Sequence, residues 1–200
     1  LDLPTTTEQV QAALRQIGIS SDNPQNLFIS GYFAEEEKRF AIPYNMVLAS
    51  NVDELNFLAA RLETLSAGER AELNAALQAP QSELSSIGRI TDFPENVDYY
   101  VHLPDVRGPA QLGDYYLNRS GMVNMPEEWK GGIDTAQFGR YVAQQEQGAF
   151  TQYGYLVKSG DEWQKVHEGQ PVPEEYRVLS FPVPEVMRDA ANIPPPVQPE

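Results

Sequence analysis

Apolar positions along this chain recur mostly at helical spacing, with a few short runs at strand spacing. Val10, Leu14 and Ile17 fall three and four residues apart, which keeps side chains on one helix face. Thr5 and Glu8 precede them at N-cap and N3 spacing, and Gly18 follows as a stop. Residues 26–33, NLFISGYF, read as a short strand. Glu35, Glu36 and Glu37, followed at once by Lys38 and Arg39, read as a solvated loop or hairpin tip.

Residues 51–79 contain two helix starts, because Asn51 with Glu54 and Ser66 with Glu69 are both capping-box pairs. Leu55, Leu58, Ala59, Leu62 and Leu65 form the stripe of the first helix, and Leu73, Ala76 and Leu77 that of the second. The short turn between them predicts an antiparallel helical hairpin. Residues 81–90 add a third short helix, and residues 93–106, bracketed by Pro94 and Pro104, read as a helical turn or a strand. Residues 108–123 predict a helix with Pro109 in its first turn and Gly121 past its end. Residues 125–132, with Pro126, read as a loop or a short helix.

The helix expected over 135–147 takes Thr135 as N-cap, buries Phe138 and Val142, and stops at Gly148. Gly139 inside it costs roughly 1 kcal/mol relative to alanine, unless another element approaches closely there. Residues 149–166 read as two strands around the turn Ser159-Gly160-Asp161, with a third strand over 175–183. Four prolines among the last nine residues exclude helix and central strand, so the end reads as disordered or polyproline-like. The pattern gives an α+β fold of small mixed modules. An N-terminal α/β module spans 1–50, a helical module 51–92, and a C-terminal antiparallel sheet with helices 93–184, before a Pro-rich tail at 185–200.

Composition narrows the chemistry. The chain has no cysteine, which removes disulfides, thiolate catalysis and Cys-based zinc sites and fits a reducing cytoplasm. No run of 18 apolar residues occurs, so no membrane helix is expected. His102 and His167 lack ligand partners at metal-site spacing, and there is no HExxH, GxSxG, GxxxxGK[ST] or GxGxxG motif. Neither a metal, a cofactor nor a nucleophilic triad is therefore expected. Asp98 beside Tyr99 and Tyr100, and Glu127 and Glu128 beside Trp129, resemble sugar-cleaving carboxylate pairs only superficially. Adjacent carboxylates point different ways, and such aromatics usually form core.

Twenty-nine acids against 14 bases give a formal charge of −15. The excess is spread: residues 1–80 hold 11 acids and 5 bases, 81–148 hold 10 and 5, and 149–200 hold 8 and 4. Such a surface repels nucleic-acid phosphates and attracts proteins that grip them. Tyr115 and Arg119 are same-face neighbours, with Asp114 five residues before Arg119. Arg140 and Glu146, six apart, do not pair directly, which leaves Arg140 for an acid on another element or another chain.

The ordered segments resemble ArdA-type antirestriction proteins. The opening helix ending in Ile17-Gly18, the strand and acidic turn after it, and the Glu54-Leu55-Asn56 helix match the first half of that family. Leu112, Tyr115, Tyr116, Gly121, Pro126, Ile133, Asp134, Phe138, Gly139 and Arg140 match the second half in order, so the resemblance covers roughly 1–157. Relative to the family, a strand preceding Leu1 is missing, which suggests a fragment of a larger chain, and the part beyond about 158 is additional.

The resemblance implies a non-enzymatic, acidic mimic of B-form DNA from a bacterial mobile element such as a conjugative transposon. It would act in the cytoplasm, binding and inhibiting a type I restriction–modification enzyme without binding nucleic acid or membrane itself. Asp98, Asp105, Asp114, Glu127, Glu128, Asp134 and Glu146 are the candidate acids for the partner, and Phe138, Gly139 and Arg140 the candidate homodimer interface. The alternative is a non-catalytic protein–protein interaction module of a larger mobile-element protein, without antirestriction activity.

Overall fold

The computed structural model describes residues 1–19, 29, 32–33, 39–80 and 82–179. Most of the strand expected over 26–33, the acidic run Glu35–Glu37 and the Pro-rich end lie outside the described residues. Eight α-helices and one three-stranded antiparallel sheet are present among the described residues, an α+β arrangement.

The first helix, α1, is Thr7–Gln16. Its capping box is one residue later than expected: Thr6 caps, and Gln9 is N3. Val10 and Leu14 are buried, but Ile17 is the C-cap and is exposed. The short α2, Tyr44–Leu48, follows, then α3 (Val52–Glu63) and α4 (Ala67–Gln78). Both predicted boxes are formed, Asn51 with Glu54 and Ser66 with Glu69. The expected hairpin is not a close helix pair. α3 lies nearest α5 (Ile87–Thr91), and α4 lies against the sheet. The two helices share a core through Leu58, Leu62, Leu65, Leu73 and Ala76, which Ile90, Phe93, Tyr100 and Leu156 complete.

The ambiguous stretch 93–106 holds both structures: 3-10 turns at Phe93–Glu95 and Val97–Tyr99, then β1, Tyr100–Leu103. The sheet order is β1-β3-β2, with β2 Ala149–Thr151 and β3 Gly154–Lys158. The register pairs Tyr100 with Lys158, and Thr151 with Gly154. The hairpin turn is therefore Gln152-Tyr153, not Ser159-Gly160-Asp161. Gly154 at φ +130° sits where a Cβ would stand 2.5 Å from Leu103 O, so glycine sets the turn there. Residues 159–173 form no strand, and the third expected strand begins as a 3-10 turn, Glu174–Tyr176. The sheet takes β1 instead.

Helix α6, Pro109–Asp114, runs directly into a π-helical turn, Tyr115–Arg119. α7 is Glu127–Lys130 and α8 is Thr135–Glu146. Asp134, not Thr135, caps α8, accepting from Gln137 N at 2.9 Å, and Gln147 closes it at φ +56°. α6 and α8 cross closely because two glycines lie at the contact. A Cβ on Gly113 would stand 1.9 Å from Thr135 O, and one on Gly139 1.8 Å from Pro109 O.

Buried polar side chains hold the irregular segments to this frame. Asn56 on α3 accepts from Thr5 N at 2.6 Å and donates to Tyr176 O at 3.0 Å. Asn74 on α4 accepts from Ala41 N at 2.7 Å. Each asparagine supplies both a donor and an acceptor, so it pairs extended backbone as a neighbouring strand would.

Candidate partner-binding surface

The seven candidate acids separate into three groups. Asp98, Asp105 and Glu128 are exposed and make no ion pair among the described residues. Asp114 and Glu127 are partly neutralised. Asp114 lies 3.5 Å from Arg119, and Glu127 accepts from Lys130 at 2.6 Å. The π-helical turn explains the first pair, since its i+5 hydrogen bonds, such as Ser120 N to Tyr115 O, bring i+5 side chains together. Arg119 also lies over the Tyr115 ring at 5.5 Å, as their spacing predicts.

Asp134 and Glu146 are engaged within the fold. Asp134 caps α8 while staying exposed. Glu146 accepts hydroxyl hydrogen bonds from Tyr116 and from Tyr155, the latter at 2.9 Å. Tyr155 is fully buried, and Gly148 makes room for its hydroxyl, which a Cβ there would approach to 2.0 Å. Burial, reinforced by the Glu146 carboxylate, pushes both tyrosines well above the ordinary phenol range.

Two acids outside the seven lie near Asp98. On α4, Glu72 lies close enough to Glu69 and to Asp98 for both to act on its carboxyl. Burial first, then Glu69, then Asp98, raise the Glu72 carboxyl from its ordinary 4.5 to about 8. Glu69 is held low by its cap hydrogen bonds with Ser66, so its charge persists. No ion pair reaches any of the three among the described residues. The nearby Arg70 instead donates to Leu65 O at 3.0 Å and lies over the Phe40 ring. Sequence pattern hid this cluster because Glu69 reads as a cap. The usable signal was Glu72 three residues later, on the same helix face.

Arg140 is exposed and has no ion pair among the described residues. Phe138 is half-buried, and Gly139 is buried against α6 of the same chain. The close approach that glycine signals is thus satisfied inside the chain.

Among the described residues no group of three or more His, Asp or Glu could hold a metal. His102 Nε2 lies 2.8 Å from Tyr153 O, which can only accept, so that nitrogen carries the proton and pins the β2–β3 turn. His167 stacks edge-on against Phe57. No helix among the described residues is long and apolar enough to cross a membrane.

Comparison with protein families matches residues 1–157 to the antirestriction protein (ArdA) family. The chain belongs to the ArdA family. No curated protein matches it closely enough to add a relative. ArdA membership assigns an antirestriction function and an interaction with restriction enzymes in general, and members of the family are non-catalytic inhibitors. In this ArdA chain the match ends inside β3, one residue before Lys158.

Proposed function

We propose that this chain inhibits a type I restriction–modification enzyme by presenting acids in place of duplex DNA. The observation that carries the reading is that Glu69 and Asp98, both acting on the buried and largely protonated Glu72, have no counter-cation among the described residues. Duplex DNA carries about one charge per 1.7 Å of axis, and proteins that grip it line their grooves with Lys and Arg. Fixed carboxylates on rigid helices attract the same groove and offer no phosphodiester to cleave. Asp105 and Glu128 are the further exposed, unpaired acids that would extend the field. Asp114, Glu127 and Asp134 contribute less, because each already has a partner.

The same reading includes a homodimer. Phe138 and Arg140 on α8 are the side chains available for it, and the unpaired guanidinium of Arg140 suits a partner acid. Light scattering across a concentration series tests this, and a strict monomer counts against it.

The test of inhibition is a titration of a type I methyltransferase core bound to labelled DNA. Added protein is expected to release the DNA, with the effect weakening as salt rises from roughly 50 to 200 mM. DNA that stays bound at molar excess and low salt sinks the proposal and leaves a non-catalytic interaction module.

A further inference from the structure

Residues beyond the family match do not trail away from the fold. The chain leaves β3 with Ser159 N donating to Tyr99 O at 2.9 Å. Trp163 then meets the Tyr99 ring edge-on, with Arg89 over its own ring. Asn96 and Gln164 exchange hydrogen bonds at 2.7 and 2.9 Å. Asp92, with no exposed surface, accepts from three successive amides: Val166 N at 3.3 Å, His167 N at 2.6 Å and Glu168 N at 3.2 Å. Arg89 binds Glu168 at 3.1 Å.

A second anchor lies further on. Asn56 holds Tyr176 O, and the Asp53 carboxylate accepts from Val178 N and Leu179 N at 2.7 and 2.8 Å. Val178 is 4% exposed and forms a separate core with Val10 and Leu14 of α1. The buried face of α1 thus rests on a residue that the family match does not include.

We infer that residues 159–179 are a strap that clamps α1 to the α3–α5 face, so that the folded inhibitory unit of this chain runs to Leu179 and not to residue 157. The carboxylates of Asp92 and Asp53 are the two buckles. Each takes backbone amides that no sheet or helix serves, and neither has an ion pair among the described residues. Asn56 ties both ends at once, holding Thr5 just before α1 and Tyr176 within the strap.

Hydrogen exchange on the full chain tests this independently of any inhibition. In Val178→Ala, the amides of α1 are expected to exchange at least tenfold faster while those of β3 stay protected. In Asp92→Asn, the amides of residues 166–168 are expected to exchange at least tenfold faster. Unchanged α1 protection in Val178→Ala overturns the strap. So does equal acceleration of α1 and β3, which would make Val178 an ordinary core residue. Asp53→Ala, which removes the shared acceptor and spares the apolar core, is expected to speed exchange at Val178, Leu179 and α1 together. If it frees the first two amides and leaves α1 protected, the clamp is likewise refuted.

Discussion

Gly139 rests on the carbonyl oxygen of Pro109: a Cβ at that position would stand 1.8 Å from it. Alanine there gains about 1 kcal/mol of helix propensity. It also collides with backbone, which has no rotamer to move away, and overpacking of this kind costs about 1–3 kcal/mol. A contact of 1.8 Å against backbone puts the cost at the upper end of that range, so Gly139→Ala is expected to lower stability by about 2 kcal/mol net, or a few degrees in melting temperature for a chain of this size. Thermal unfolding followed by circular dichroism measures it. An unchanged melting point would contradict the close crossing of α6 and α8.

Asn56→Ala removes one side chain and strands backbone groups on two segments, Thr5 and Tyr176. Each buried group left unpaired costs about 1–3 kcal/mol. The urea midpoint should fall by an amount corresponding to at least one such loss, with the slope unchanged. A midpoint within error of the parent would mean that water replaces the asparagine freely.

Glu72 makes stability depend on pH in an unusual direction. Its carboxyl titrates near 8 in the folded chain and near 4.5 when unfolded. Between those values the folded state holds the extra proton, so stability from this group declines as pH rises from about 4.5 to about 8. Glu72→Gln, which cannot ionise, is expected to flatten that decline and to be the more stable protein at pH 8. Urea unfolding at pH 5 and pH 8 decides it, and parallel losses in both proteins would remove Glu72 as the cause.

Glu146 and Asp98 make a contrast between fold and surface. Glu146→Ala leaves the buried Tyr155 hydroxyl without its acceptor, a loss of about 1–3 kcal/mol. Asp98→Asn touches no side-chain hydrogen bond among the described residues. The first is expected to lower the melting point, and the second to leave it alone while weakening displacement of DNA from the restriction enzyme several-fold. The reverse pattern would return Glu146 to the binding surface and remove Asp98 from it.

Local rules carried the helices well. Asn51 with Glu54 and Ser66 with Glu69 are short-range signals that the chain obeys, while α8 closes at Gln147, one residue before the expected stop Gly148. The caps of α1 and α8 slipped by one residue, because Thr5, Thr6 and Thr7 offer rival hydroxyls and Asp134 competes with Thr135. What failed was long-range pairing. Ser159-Gly160-Asp161 has fine turn chemistry, yet β3 pairs with Tyr100–Leu103, far earlier in the chain. Nothing local to Trp163 says that its neighbours are Tyr99 and Arg89. The acidic site was legible as charge but not as geometry, since Glu72 matters only through its burial beside Asp98.

The core of Val10, Leu14 and Val178 also fixes an order of events in the cell. A ribosome delivers α1 long before it delivers Val178. Until then the buried face of α1 has no completed site to enter, whatever the rest of the domain has achieved. The earliest of the described helices to be made thus completes its packing only when one of the last described residues arrives. A newly made chain passes through an interval in which two apolar side chains of α1 are open to chaperones, proteases or a neighbouring copy.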